Sequence, residues 1–96
     1  MRKTCCDMRG MLSFLMLFLL SKKSMNGQEI AKEIEKRKGI KPSPGTIYPA
    51  LRALKDNRWI VEVEKGKAIE YKLTEEGKRV FGFARKQFCK IFLDVI

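Results

Sequence analysis

The stretch Pro42-Ser43-Pro44-Gly45-Thr46-Ile47-Tyr48-Pro49-Ala50-Leu51-Arg52 has the pattern of a helix N-terminus. Ser43 suits the N-cap position, where its hydroxyl can accept an N–H of the first turn. Pro44 suits the first helical position, because the N–H that proline lacks has no partner there. Apolar side chains then recur at i, i+3, i+4 and i+7, the spacing of one buried face: Ile47, Ala50, Leu51 and Leu54. The sequence therefore predicts a helix over residues 43–57 with one side in the core.

The opposite side of this helix is polar and leaves room for a partner. It carries Gly45, Tyr48, Pro49 and Arg52, which combine a small residue, a phenol and a guanidinium. A basic helix face beside the free N–H groups of a helix N-terminus is an anion-binding site, and nucleic acids supply such anions as phosphates. Pro49 leaves the carbonyl of Gly45 without its usual partner. We hypothesise that this bends the first turn toward the anion.

The net charge also favours a polyanionic partner. The 96 residues include 21 Lys and Arg but 11 Asp and Glu, which gives a formal net charge of +10. Such an excess favours nucleic acid or acidic lipid, although solubility alone is the simpler alternative. The basic residues are spread along the chain, so a binding face has to be assembled by folding. The length predicts a single domain over residues 1–96.

The residue types that carry most catalysis and metal binding are scarce. The chain has no histidine and three cysteines, Cys5, Cys6 and Cys89, without zinc-ligand spacing. An odd number of cysteines does not form a disulfide framework and indicates reduced thiols in the cytoplasm. A redox sensor is the alternative. Because the chain has neither an imidazole base nor a glycine-rich phosphate loop, we predict no enzyme activity, no metal and no cofactor.

The run Met11–Leu20 is almost wholly apolar. It is too short to span a bilayer, and the following Ser21-Lys22-Lys23-Ser24 lacks the small-residue pattern of a signal-peptide cleavage site. A buried helix over residues 8–22 is the third interpretation. A helix that is apolar all round must be covered all round, so we predict that one part packs against a second subunit. The residues predicted for that contact are Phe14, Leu15 and Phe18.

Residues 24–57 have the pattern of a helix-turn-helix. Asn26 is a plausible N-cap of the first helix, and Glu29 stands three residues later, as in a capping box. Gly39 ends this helix, and a short loop leads to the helix of residues 43–57. Two short helices joined by a brief turn, with a basic face on the second, are typical of DNA-binding proteins.

Residues 59–73 alternate between apolar and charged side chains in two runs around Lys65-Gly66-Lys67. Period two with β-branched and aromatic residues predicts a β-hairpin, with its bend at Gly66. An isolated hairpin is marginal in water, so this one must pack on the helices. Lys65 and Lys67 at its tip are expected to contact a nucleic-acid backbone, with simple solvation as the alternative.

Residues 74–96 form the last predicted helix, and Glu75 and Glu76 complement the positive end of its dipole. Apolar residues in this helix repeat at spacings of three and four, as in the seam of a coiled coil. The seam residues are Phe81, Ala84, Phe88, Ile91 and Val95. Because the stripe is longer than a small domain needs, we expect an intermolecular partner, with packing onto its own domain as the alternative.

Helix, helix, helix, hairpin, helix is the order of a winged helix. Over about residues 10–96 the chain resembles the PadR family of winged-helix transcriptional regulators. The resemblance lies in Asn26-Gly27-Gln28-Glu29-Ile30, in Pro42 to Leu51, and in Tyr71-Lys72-Leu73-Thr74-Glu75-Glu76-Gly77. The middle block is long and specific, and a single C-terminal helix is similar to the shorter members. The predicted fold class is mainly α with a small β-hairpin, a winged helix-turn-helix with N- and C-terminal dimerisation helices.

The resemblance implies a cytoplasmic homodimer that binds double-stranded DNA at a pseudo-palindrome and regulates transcription, as a repressor in many members. It implies that the third helix enters the major groove and that the wing touches the backbone. Arg52 is the candidate for reading guanine. A small aromatic or drug-like effector at the dimer interface is a further implication, and a membrane partner is not expected. The residues expected at the DNA are Lys41, Ser43, Gly45, Thr46, Tyr48, Pro49, Arg52, Lys65 and Lys67.

Two departures from the family pattern matter. Asn26-Gly27-Gln28 stands where most members have His-Gly-Tyr, so the role of that tyrosine does not carry over to Gln28. Arg58 stands where the third helix is usually followed by glycine. Since glycine adopts the left-handed backbone most easily, we expect Asn57 to take that conformation instead.

Two other functions fit parts of the sequence. A basic membrane-surface or exported protein would use the apolar run and the positive charge. A protein-interaction module would keep the winged helix and bind no DNA.

Overall fold

The computed structural model describes residues 8–95, with side chains over residues 11–87. Four helices and one antiparallel hairpin follow one another along this part of the chain. Their order confirms the predicted winged helix, which is mainly helical. The elements are α1 (Met8–Lys22), α2 (Gly27–Lys38), α3 (Pro44–Asp56), β1 (Ile60–Lys65), β2 (Ala68–Leu73) and α4 (Glu75–Val95).

The core forms where α1 crosses the inner faces of α2 and α3. The chain itself covers much of α1, more than the sequence suggested for a domain of this size. The face that it leaves exposed or half-buried has the spacing i, i+3, i+4 and i+7 and consists of Met11, Phe14, Leu15 and Phe18. The buried side chains of the three helices are Leu12, Met16, Leu17, Leu19, Leu20, Ile30, Ala31, Ile34, Ile47, Leu51 and Leu54.

The second helix begins at Gly27, directly after the predicted N-cap Asn26, and the segment before it pairs with the hairpin. The Met25 N–H donates to the Tyr71 carbonyl at 3.2 Å, and the Tyr71 N–H donates to the Met25 carbonyl at 2.8 Å. The expected capping box follows. The Asn26 side chain accepts the Glu29 N–H at 2.8 Å, and the Glu29 carboxylate accepts the Asn26 N–H at 2.9 Å.

The hairpin pairs Ile60 with Leu73 and Lys65 with Ala68. Gly66 begins the two-residue turn with φ +60°, which a residue without a Cβ adopts at little cost. This register places Ile60, Glu62, Tyr71 and Leu73 on one face of the hairpin, and Ile60 and Leu73 are buried in the core. The valines of β1 lie on the other face.

The turn between α3 and β1 differs from the sequence prediction. Asn57 remains helical at φ −80°, because its N–H still donates to the Ala53 carbonyl at 3.1 Å. Arg58 takes the left-handed conformation instead, with φ +65°. The Arg58 N–H donates to Lys55 and the Trp59 N–H donates to Leu54, the two backbone bonds of a Schellman motif.

The start of α4 is locked against this turn. The Thr74 hydroxyl donates to the Arg58 carbonyl at 2.6 Å and accepts the Gly77 N–H at 2.9 Å. A Cβ on Gly77 would collide with the Trp59 carbonyl. Glycine is therefore required at this position for α4 to approach the turn. The contact fixes the direction in which α4 leaves the hairpin.

Arg58→Gly should raise the free energy of unfolding by a few tenths to about 1 kcal/mol, because glycine relieves the left-handed strain at the cost of a more flexible unfolded chain. Asn57→Gly should lower it, since Asn57 is helical. Urea unfolding followed by circular dichroism at one protein concentration measures both. The reverse order of stabilities would contradict the assignment of the left-handed residue.

Candidate nucleic-acid interface

The N-terminus of α3 presents two exposed hydroxyls and one backbone N–H that has no partner in the described part of the chain. Ser43 has the extended backbone of an N-cap, but its hydroxyl makes no cap hydrogen bond, contrary to expectation. Its carbonyl accepts the Thr46 N–H instead, at 2.9 Å. The Ser43 and Thr46 hydroxyls are exposed and 3.3 Å apart. Together with the unpaired N–H of Gly45, they form a set of donors suited to an anion.

The outward face of α3 carries the side chains that the sequence singled out. Tyr48 is 47% exposed. Arg52 is exposed and forms no ion pair within residues 11–87. Gly45 and Pro49 are exposed beside them. A phenol and a guanidinium thus project from a helix surface whose other members are small, which allows close approach by a flat or grooved partner.

The Tyr48 side chain lies against the first turn of α2. A Cβ on Gly27 would come within 2.5 Å of the Tyr48 hydroxyl oxygen. Gly27 is therefore needed for the ring to occupy its place. Gln28, Lys41 and Ser43 line the same groove of about 540 Å³, so the N-terminal ends of α2 and α3 face a common space.

The two lysines at the hairpin tip are not equivalent. The Lys65 ammonium is 4.0 Å from the Glu70 carboxylate. That carboxylate also accepts the Ser24 hydroxyl at 2.8 Å. Lys67 is exposed and has no ion pair among the described residues. Of the two lysines, Lys67 is thus the one without an ion pair in the described part of the chain.

Sequence reasoning missed a polar cluster between α3 and the hairpin. The Lys55 ammonium is 3.0 Å from the Glu62 carboxylate, and Tyr48, Arg52 and Tyr71 complete the cluster. Partial burial, then the nearby Glu62 carboxylate and Tyr48, raise the pKa of Tyr71, so its phenol stays neutral. The strand register would place Glu62 opposite Tyr71, but no sequence signal places either beside Lys55.

Some of the residues predicted for dimerisation contact each other within a single chain. The Phe81 ring centroid lies 5.7 Å from that of Phe14 and 6.2 Å from that of Phe18. Ala84 and Leu15 are half-buried. On the outer face of α4, Phe83 is 66% exposed, and it belongs to the residues that widen the predicted apolar stripe beside the seam. The side chains of Phe88, Ile91 and Val95, and of all three cysteines, lie outside the described residues.

Two classes of site have no support in the described part of the chain. No group of three His, Cys, Asp or Glu side chains there could hold a metal ion. None of the helices described is long and apolar enough to cross a membrane.

A winged helix with an exposed, donor-rich third helix is a DNA-binding fold. The chain belongs to the transcriptional regulator PadR-like family, whose model matches residues 16–82. Regulators of this family bind DNA, are generally dimeric and are not enzymes. The family resemblance inferred from the sequence is confirmed.

Solved structures of PadR-like regulators share the fold. A PadR family transcription regulator from Clostridium difficile is 27% identical, covers 83% of this chain and 88% of its own, and has a TM-score of 0.76. A PadR-like transcription factor from Bacteroides fragilis is 26% identical, covers 91% and 88%, and has a TM-score of 0.79. A PadR-like regulator from Bacillus cereus, 21% identical, covers 91% and 89% with a TM-score of 0.84. No curated protein matches significantly.

Gly27→Ala should lower the free energy of unfolding by about 1–3 kcal/mol, because the added methyl group overpacks against the Tyr48 ring. The same change in a Tyr48→Ala background should cost much less, since the colliding side chain is absent. Urea unfolding of the four proteins gives the coupling energy. Equal costs in both backgrounds would show that the ring does not occupy this place.

Proposed function

We propose that this protein is a homodimeric transcriptional repressor that binds a pseudo-palindromic site in duplex DNA. The observation that carries the proposal is the outward face of α3, where Tyr48 and Arg52 are exposed on the same helix as the exposed Ser43 and Thr46 hydroxyls at its N-terminus. Phosphate contacts to such donors position a protein on the duplex, and side chains that reach base edges select the sequence. Family membership supports the same function.

Each predicted contact has a role in this proposal. Arg52 is the candidate for base recognition, since its guanidinium can donate two hydrogen bonds to guanine. Gly45 and Pro49 present little bulk and allow α3 to lie deep in the major groove. The remaining contacts position the protein on phosphates, and they are Lys41, Ser43, Thr46, Tyr48, Lys65 and Lys67.

Two surfaces support the homodimer. One is the α1 face of Met11, Phe14, Leu15 and Phe18, which the chain leaves partly uncovered. The other is Phe83 of α4, which is mostly exposed. Burial of such side chains against a second copy removes apolar area from water, which favours association. Two-fold symmetry would then place two α3 helices on half-sites about one helical turn, or a multiple of it, apart.

The proposal includes a cytoplasmic location and repression as the mode of regulation. A small dimer that lies across a promoter blocks access to it by occupancy alone. A small aromatic or drug-like effector at the dimer interface stays a prediction of the family resemblance.

Selection of bound duplexes from a random pool tests the proposed function. We expect enrichment of a pseudo-palindrome, and we expect Arg52→Ala to relax the preference at one position of each half-site. Anionic vesicles form the second arm of the experiment. Binding to vesicles without enrichment of DNA would favour a membrane-surface protein. Binding to neither would favour a protein-interaction module.

Gly45→Ala should weaken binding to the selected duplex at least tenfold, about 1.4 kcal/mol, while leaving the fold intact. The added Cβ has ordinary space within the chain, with the Ser43 hydroxyl 3.7 Å away as its nearest neighbour. A loss of affinity therefore reports on the partner. Gly82→Ala, in open space on α4, is the matched control. Unchanged affinity of the Gly45 variant would place the duplex elsewhere.

Phe83→Glu should weaken the dimer, because a carboxylate would replace an apolar side chain at the proposed contact. Sedimentation equilibrium of the free protein should give twice the chain mass for the wild type and a lower average for the variant. Lys32→Glu, which introduces a carboxylate at an exposed position of α2, should keep the dimer. A wild-type mass of one chain would overturn the homodimer.

A further inference from the structure

Lys55 continues the row of side chains that faces the proposed duplex. Tyr48, Arg52 and Lys55 stand at i, i+4 and i+7 on α3, so they lie on one side of the helix. Arg52 forms no ion pair within the described residues, whereas Lys55 does. Of these two cations, Lys55 is therefore the one that is already paired with a carboxylate of the protein.

The group that holds Lys55 comes from the hairpin. Glu62 of β1 places its carboxylate 3.0 Å from the Lys55 ammonium, and the two side chains are 39% and 45% exposed. Glu64, two residues further along the same strand, is exposed and forms no ion pair among the described residues. The contact is thus specific to one of two neighbouring glutamates.

The pair between Lys55 and Glu62 contributes little to the stability of the fold. Exposed ion pairs contribute about 0.2–1 kcal/mol to stability, so the pair is a weak brace for the fold. An ammonium bound to a carboxylate at 3.0 Å is nevertheless neutralised before the duplex arrives. It would release few counterions from DNA, and counterion release is the main source of sequence-independent affinity.

We propose that Glu62 limits the affinity of this protein for any duplex by holding the Lys55 ammonium away from the phosphates. The inference rests on the proposed DNA-binding function and adds a residue that tunes it. Glu62 acts through Lys55 and is a positioning residue. Lys55 is then a cation paired within the protein, whereas Lys67 at the hairpin tip has no ion pair among the described residues.

The salt dependence of binding tests this proposal, because a structural role alone would not change it. Each phosphate neutralised contributes about 0.9 to the slope of log affinity against log salt concentration. Lys67→Ala should flatten the slope by about one unit, whereas Lys55→Ala should leave it nearly unchanged. Glu62→Gln should steepen it by about one unit, equivalent to about a 3.5-fold larger loss of affinity between 50 and 200 mM salt.

Two controls separate release of Lys55 from a change in net charge. Glu64→Gln removes the same charge without freeing a lysine and should leave the slope unchanged. Adding Lys55→Ala to the Glu62→Gln variant should restore the wild-type slope. Thermal unfolding of each variant reports whether the fold is kept.

The outcomes are distinguishable. A full-unit flattening by Lys55→Ala alone would make Lys55 an ordinary phosphate contact and overturn the proposal. Equal effects of Glu62→Gln and Glu64→Gln would do the same, while DNA binding itself would stand. A wild-type protein that binds no duplex would overturn the proposed function, and this inference with it.

Discussion

Burial of one face of α3 is the constraint on which the rest of the molecule depends. Ile47, Leu51 and Leu54 are each at most 2% exposed. A helix has one inner and one outer side, so burial of these residues turns Tyr48 and Arg52 outward. Rotation of α3 by a quarter turn would remove apolar side chains from the core and hide the polar row. The burial that packs the core therefore also decides which side chains α3 exposes to solvent.

The hairpin is held in place by contacts of several kinds. Backbone bonds join it to Met25, and the Thr74 hydroxyl ties the start of α4 to the turn before β1. Surface ion pairs, such as that between Lys55 and Glu62, add little stability by comparison. These ion pairs therefore affect the charge of the surface more than the stability of the fold. Because the contacts that hold the hairpin are separate from the surface ion pairs, the surface charges of a nucleic-acid-binding protein can vary without loss of the fold.

Local sequence signals predicted the elements well and their caps unevenly. The capping box of Asn26 and Glu29 formed as expected, because both partners lie within one turn. The hydroxyl of Ser43 does not cap α3, because the Thr46 N–H donates to the Ser43 backbone carbonyl instead. The left-handed residue was Arg58 rather than Asn57, because α3 continues through the Ala53 bond. Residue propensity indicates which residue types suit a helix end, but it does not determine at which residue the helix ends.

The sequence by itself determined the order of elements, the side of α3 that is buried and the family, because these follow from periodicity and a long contiguous motif. Only the tertiary structure decided which distant side chains meet. The Lys55–Glu62 pair, the close approach of Tyr48 to Gly27 and the exposure of Phe83 each depend on how separate elements pack. Hydrophobic patterning fixes which face turns inward, but the distance between two polar groups on neighbouring elements is set by the packing of the core between them.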